Sequence, residues 1–199
     1  MNVAIIKYNA GNIMSVDYAL QRLGINPRIT DDHMIIRSAD RVIFPGVGEA
    51  STTMQYLKDR KLDLLLPELK QPVLGICLGL QLMCRHSEEG NTKCIGIFEE
   101  EVRKFDPPAH GEERWKIPHM GWNTIYDLKT PLLGGDLKNR FVYFIHSYYA
   151  DAGPDTVALC DYTVPFSAAL QRDNFFATQF HPEKSGEPGY QILKNFLEL

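Results

Sequence analysis

The 199-residue sequence has no run of lysines and arginines, and its formal net charge is −4. A nucleic-acid surface needs a basic stripe with interleaved aromatics, so that class of partner is excluded. No apolar run approaches the ~20 residues of a membrane span. The opening Met1-Asn2-Val3-Ala4-Ile5-Ile6-Lys7 lacks the basic start and long apolar core of a secretory signal. The four cysteines, Cys77, Cys84, Cys94 and Cys160, include no CxxC pair, so no metal site is expected. Nothing marks a secreted, disulfide-bonded chain, and we expect reduced thiols and a cytoplasmic location. Repeats, low-complexity tracts, an acidic tail and a linker-like stretch are also missing. With 44% hydrophobic and 23% charged residues, an ordinary globular balance, residues 1–199 are expected to form one domain with its own core.

What is present is an alternation of short apolar runs and helical patterns. Val3–Ile6, Pro27–Ile29, Arg41–Phe44 and Val73–Ile76 read as strands. Ser15–Leu23 reads as an amphipathic helix closed by Gly24, and Ser51–Leu57 and Leu62–Leu69 as further helical segments. This order predicts an α/β fold with a mostly parallel central sheet flanked by helices, its site at the carboxyl ends of the strands. Beyond Gly96 the pattern changes. Glu100–Phe105, Val142–His146, Val157–Asp161, Ser167–Gln171 and Phe175–Gln179 read as strands joined by short turns, which predicts added antiparallel strands in the C-terminal half. A last helix is expected over Pro188–Leu199.

Gly75-Ile76-Cys77-Leu78-Gly79 follows one of these strands and runs into Leu80-Gln81-Leu82-Met83, which reads as helix. Strand, sharp turn and helix make a nucleophile elbow, with glycines two residues to either side leaving room for strained backbone. A thiol at a helix N-terminus is favoured as thiolate, and the Leu78 N–H would point at a substrate carbonyl. A buried core cysteine is the plain alternative. About a hundred residues on, Phe175-Phe176-Ala177 leads to Thr178-Gln179-Phe180-His181-Pro182-Glu183. Proline after His181 favours extended backbone there, so His181 and Glu183 can share a face. The carboxylate would then fix the imidazole tautomer. Cys77, His181 and Glu183 are therefore the candidate nucleophile, base and orienter.

Pro45-Gly46-Val47-Gly48 also ends a strand. Two glycines let a peptide flip and aim an N–H at a developing oxyanion. The loop lacks the third glycine of a dinucleotide fingerprint and the Gly-Lys-Ser/Thr of a P-loop. Gln81, one helical turn beyond Cys77, can face the same pocket. The polar groups of His146-Ser147-Tyr148-Tyr149 could line it, Tyr149 reading better as a core aromatic. Glu88-Glu89-Gly90 reads by composition as a solvated helix end, and His33, His86 and His110 as surface residues.

Gly75-Ile76-Cys77-Leu78-Gly79-Leu80-Gln81 together with Phe180-His181-Pro182-Glu183 resembles the class I, triad-type glutamine amidotransferases. Tyr8-Asn9-Ala10-Gly11-Asn12, Pro45–Gly48, Ile117-Pro118-His119-Met120-Gly121-Trp122-Asn123, Tyr143–Tyr149 and His181–Gly186 narrow the resemblance. Within that family they are similar to the glutaminase subunits of imidazole glycerol phosphate synthases, from first strand to last helix. The resemblance implies hydrolysis of L-glutamine through a cysteinyl thioester on Cys77, with His181 and Glu183 completing the triad. It implies oxyanion donors at Val47 and Leu78, and glutamine held by Gly46, Gly48, Gln81, Glu89, Ser147 and Tyr148. No cofactor is implied. The implied partner is a (βα)₈-barrel cyclase subunit, forming a heterodimer that takes up the ammonia for histidine biosynthesis. Pro118, Met120, Trp122 and Tyr143 would lie at that interface and ammonia exit, the alternative being that they pack into this chain's own core. An anthranilate-synthase-type subunit shares part of the pattern, but Met120-Gly121-Trp122 and Tyr143–Tyr149 argue against it. A non-enzymatic scaffold would not need the intact Cys-His-Glu set.

Overall fold

The computed structural model describes residues 1–8, 12–106, 115–135 and 137–199. In chain order the elements are β1 (Val3–Ile6), α1 (Ile13–Arg22), β2 (Arg28–Thr30), α2 (His33–Ser38), β3 (Arg41–Phe44), α3 (Ala50–Asp59), α4 (Leu62–Leu65), β4 (Val73–Ile76), α5 (Leu78–Met83), β5 (His86–Ser87) and β6 (Thr92–Lys93). There follow β7 (Glu101–Lys104), β8 (His119–Thr124), β9 (Phe141–His146), β10 (Tyr148–Ala150), β11 (Thr156–Asp161), β12 (Pro165–Arg172), β13 (Phe175–Thr178) and α6 (Gly186–Glu198).

A seven-stranded sheet runs in the order β11-β12-β13-β4-β3-β1-β2. The strands from β13 to β2 are parallel, and β11 and β12 add antiparallel pairs at one edge. The strands at the middle of this sheet are buried on both faces, which is why they read as unbroken apolar runs rather than alternating ones. Ala4, Ile6, Val42 and Phe44 enter the core on one face, with Leu57 and Leu80. Val3, Ile5, Ile43, Leu74 and Ile76 enter the other, with Phe144, Phe180 and Phe196. No helix among the described residues is long and apolar enough to cross a membrane.

Several expectations change in detail. The segment over 62–69 is a short α-helix that tightens into a 3₁₀ turn at Leu66–Glu68, where Pro67 cannot continue the helical hydrogen bonds. Glu88-Glu89-Gly90 is no helix end. It enters a 3₁₀ turn over Glu89–Asn91 with Gly90 at φ 64°. His33 and His86 lie at the surface as expected, each partly covered, with the His33 ring donating to the Arg60 carbonyl at 2.8 Å and the His86 ring to Asn91 Oδ1 at 2.9 Å. His110, and Asn9, Ala10 and Gly11 of the first motif, lie outside the described residues.

Candidate active site

β4 and β13 are parallel neighbours, Thr178 beside Ile76. The residues that leave their carboxyl ends therefore meet. Cys77 leaves β4 with φ 53° and ψ −106°, a conformation costly for an L-residue and held only by its surroundings. Its N–H donates to the Thr178 carbonyl at 2.7 Å. Two residues on, a Cβ at Gly79 would run into the Phe44 carbonyl, so only glycine lets α5 approach β3 this closely.

His181 leaves β13. Its N–H donates to the Tyr143 carbonyl at 2.9 Å, and its carbonyl accepts the Ser185 hydroxyl at 2.6 Å. Ser185 Oγ in turn accepts the Tyr143 N–H at 3.0 Å. The ring Nδ1 lies 2.8 Å from Glu183 Oε1, with both side chains buried. A carboxylate only accepts, so Nδ1 carries the proton and Nε2 is the atom left for exchange with Cys77. Nε2 is buried with no hydrogen-bond partner among the described residues. Burial opposes charge on this ring. Cys77 and Glu183 beside it outweigh burial and push its pKa up to about 10. The two neighbours thus favour the protonated form of the ring. The His181–Glu183 contact does not arise from one extended segment. Pro182–Lys184 is a 3₁₀ turn, and it is this turn that swings Glu183 back under the ring. Asn12 Nδ2 donates to the same Glu183 oxygen at 2.5 Å.

The oxyanion side has another arrangement. Leu78 N–H, expected to face a substrate carbonyl, donates to the Gly46 carbonyl at 3.3 Å. The Gly46–Val47 peptide thus presents its oxygen where a donor is needed. The loop is tightly seated: a Cβ at Gly46 would collide with the Tyr8 hydroxyl and come within 2.7 Å of Leu78 Cβ.

Beside Cys77 opens a cleft of about 260 Å³, lined by Val47, Gly48, Leu78, Gln81, Glu89, Ile145, His146, Ser147, Tyr148 and Lys184. Of the residues expected to hold glutamine, Gly46 lies behind this lining, and His181 and Glu183 are not part of it either. Gln81 is almost wholly buried, and its Nε2 donates to the Tyr148 carbonyl at 2.8 Å and to Gln179 Oε1 at 3.0 Å. Gln81 therefore braces the cleft wall more than it projects from it. Glu89 Oε2 accepts the Ala50 N–H at 2.8 Å, and burial raises its carboxyl pKa. Behind the wall, His146 Nδ1 lies 2.7 Å from the Tyr148 carbonyl, and His119 Nδ1 lies 3.1 Å from His146 Nε2. Burial lowers both pKa values, His119 to about 4 and His146 to about 3, so both rings are neutral near pH 7. The carbonyl fixes the tautomers: each ring carries its proton on Nδ1, and His119 donates to His146.

Tyr8, Asn12, Gln179, Lys184 and Ser185 also border the site, though none stands in a local motif that marks it for this chemistry. Gln179 Nε2 lies 3.6 Å from Cys77 Sγ, and its place two residues before His181 was the one signal available. Of the four residues expected at an interface, Trp122 and Met120 on β8 are 55% and 59% exposed. Pro118 is exposed and Tyr143 half-buried. Packing of Trp122 into this chain's own core is thereby excluded; it meets the Tyr143 ring edge to face at 5.8 Å.

Comparison with known proteins bears on this geometry. The family described as glutamine amidotransferase class-I matches residues 5–199. The chain belongs to the class I glutamine amidotransferases. The imidazole glycerol phosphate synthase subunit HisH of Bacteroides fragilis strain YCH46 is 62% identical over 199 residues, all of both chains. The subunit of the same name from Escherichia coli K12 is 42% identical over 201 aligned positions, again covering both chains. A crystal structure of a glutamine amidotransferase shares the fold with TM-score 0.73 at 18% identity, covering 98% of this chain and 97% of that one. This amidotransferase therefore has the expected architecture, a largely parallel sheet with antiparallel strands added from the C-terminal half.

Proposed function

We propose that this amidotransferase is the glutaminase subunit of an imidazole glycerol phosphate synthase, acting in histidine biosynthesis, with Cys77, His181 and Glu183 as its catalytic triad. The observation that carries the reading is the pairing of parallel β4, which ends at the Cys77 turn, with β13, which leads to the buried His181–Glu183 pair. Full-length similarity to proteins named as that synthase's subunit supports it.

The chemistry follows from the geometry. Cys77 Sγ attacks the side-chain amide carbon of glutamine, and the carbonyl oxygen takes up the negative charge. His181, protonated between Cys77 and Glu183, gives its Nε2 proton to the departing nitrogen, and ammonia leaves a glutamyl thioester. Water then attacks the thioester while Nε2 takes its proton, and glutamate is released. The oxyanion needs the Leu78 N–H, which is bonded to Gly46 at rest. The Gly46–Val47 peptide must turn over, freeing Leu78 and bringing the Val47 N–H to the same place. Gly48, Gln81, Glu89, Ser147 and Tyr148 hold the glutamine, and Glu89 supplies a negative charge for its ammonium group.

The family resemblance further supports a (βα)₈-barrel cyclase as the partner, docked on the face carrying Pro118, Met120, Trp122 and Tyr143. Ammonia released into neutral water becomes ammonium and cannot attack, so delivery through the joined subunits fits the chemistry. We read residues 1–199 as one domain, since the main sheet draws strands from β1 through β13. A cytoplasmic location is consistent with four unpaired cysteines. The test is co-purification with the cyclase subunit and a glutaminase assay with and without its nucleotide ligand. Binding with ligand-stimulated glutamate release is the expected result, and an inert complex would refute the reading.

A further inference from the structure

Tyr8 lies two residues beyond β1, beside the loop that blocks the oxyanion position, yet the chemistry above gives it no part. It is 5% exposed, with its ring against Phe44 at 5.6 Å and Tyr56 at 6.5 Å between centroids. Its hydroxyl donates to the Pro45 carbonyl. The same oxygen occupies the space where a Cβ of Gly46 would stand, with Leu78 Cβ on the other boundary of that space. A carbonyl only accepts and a neutral phenol has one proton, so that proton is committed to Pro45. Burial, with Cys77 nearby, raises the phenol pKa and keeps the proton in place. The Pro45–Gly46 peptide is thus fixed from one side, and the next peptide is fixed by the bond from Leu78 N–H to Gly46 O at 3.3 Å. Turning the Gly46–Val47 peptide requires Gly46 to rock, and the Tyr8 hydroxyl stands against it.

We propose that Tyr8 is a positioning residue that latches the Pro45–Gly48 loop in its closed, oxyanion-blocking orientation, through its hydroxyl bond to the Pro45 carbonyl and its contact with Gly46. The proposal rests on the glutaminase reading and deepens it, because it names what holds the free chain inactive. The latch acts on the population of the turned-over loop, not on glutamine affinity or on the triad.

The test is Tyr8→Phe, which keeps the ring between Phe44 and Tyr56 and removes only the hydroxyl. Glutaminase kinetics are measured for the full chain alone and with the cyclase subunit and its nucleotide ligand, beside wild type and a thermal melt. One neutral hydrogen bond is worth between about twofold and tenfold in a population. Basal kcat should rise by that factor, KM for glutamine should stay, and the ratio of stimulated to basal rate should fall by the same factor. Exchange of the Leu78 amide hydrogen in the free variant should quicken in parallel. A basal kcat and Leu78 exchange equal to wild type would overturn the latch alone. So would a parallel loss of basal and stimulated rates, which marks a merely structural role. A second measurement does not need the variant: in wild type the Leu78 amide should exchange slowly in the free chain and faster in the liganded complex. Fast exchange in the free chain overturns the closed loop on which the latch acts. Wild type without glutaminase activity in the complex would overturn the functional reading itself, and the latch with it.

Discussion

On one side of Cys77 the chain is arranged for chemistry. His181 is buried, held at its N–H by Tyr143 and at its ring by Glu183, with no hydrogen-bond partner on Nε2 among the described residues. On the other side, a few ångströms of backbone away, the Gly46 carbonyl occupies the Leu78 N–H. The His181–Glu183 side rests on side chains locked by burial, the oxyanion side on one backbone peptide held by the Leu78 N–H. The difference teaches where control resides. A nucleophile can be kept ready at all times if the group that stabilises its transition state is withheld until ammonia has somewhere to go.

Breaking the ready side should have the largest effect. Cys77→Ala should lower glutaminase turnover by roughly ten-thousandfold or more, as losing one member of a nucleophile–base unit does. Ammonia-dependent synthesis by the complex should survive, and near-wild-type glutamine turnover would show that another residue is the nucleophile. Glu183→Gln should cost between about a hundredfold and ten-thousandfold, since it removes the tautomer and charge control of His181.

That second variant also has a pH signature. The His181 pKa is raised from the ordinary ~6.5 to about 10. Stabilisation from its charged form is fully present below the unfolded value and is lost as pH rises through the folded one. The gap in melting temperature between wild type and Glu183→Gln should be widest below pH ~6.5 and should narrow toward pH ~10. A gap that widens on the alkaline side would contradict the charged assignment. The smallest effect belongs to the docking face. Trp122→Ala should weaken binding to the cyclase subunit by upwards of ~1 kcal/mol. The melting temperature of the free chain should hardly move, because the ring is 55% exposed. Titration calorimetry beside a thermal melt checks both, and an unchanged affinity would remove Trp122 from the interface.

The two sides of Cys77 were unequally legible. The strands β1, β3 and β4 stood out because burial on both faces makes them unbroken apolar runs, and the elbow and His-Pro-Glu segment followed from their flanks. The short α2, and β5 and β6 with two residues each, carry too little pattern to read. β8 was missed because it serves no single core face: His119 points inward while Met120 and Trp122 face out. Asn12 and Gln179 were missed as site residues for another reason. Their partners lie 171 and 102 residues away in sequence, and no local period encodes such a meeting. The Pro45–Gly48 loop was legible as able to flip, but which way it rests depends on Tyr8 and Leu78, each more than thirty positions from Gly46 or on a separate element.

The central claim is that the triad is ready while the oxyanion donors are withheld until the partner acts. It is tested most directly by measuring steady-state glutamate release by one preparation of wild-type chain, alone and in complex with the cyclase subunit and its nucleotide ligand. One oxyanion donor is worth roughly a hundredfold to a thousandfold in rate, and the liganded complex should exceed the free chain by about that margin. Equal rates in the two states would contradict the account.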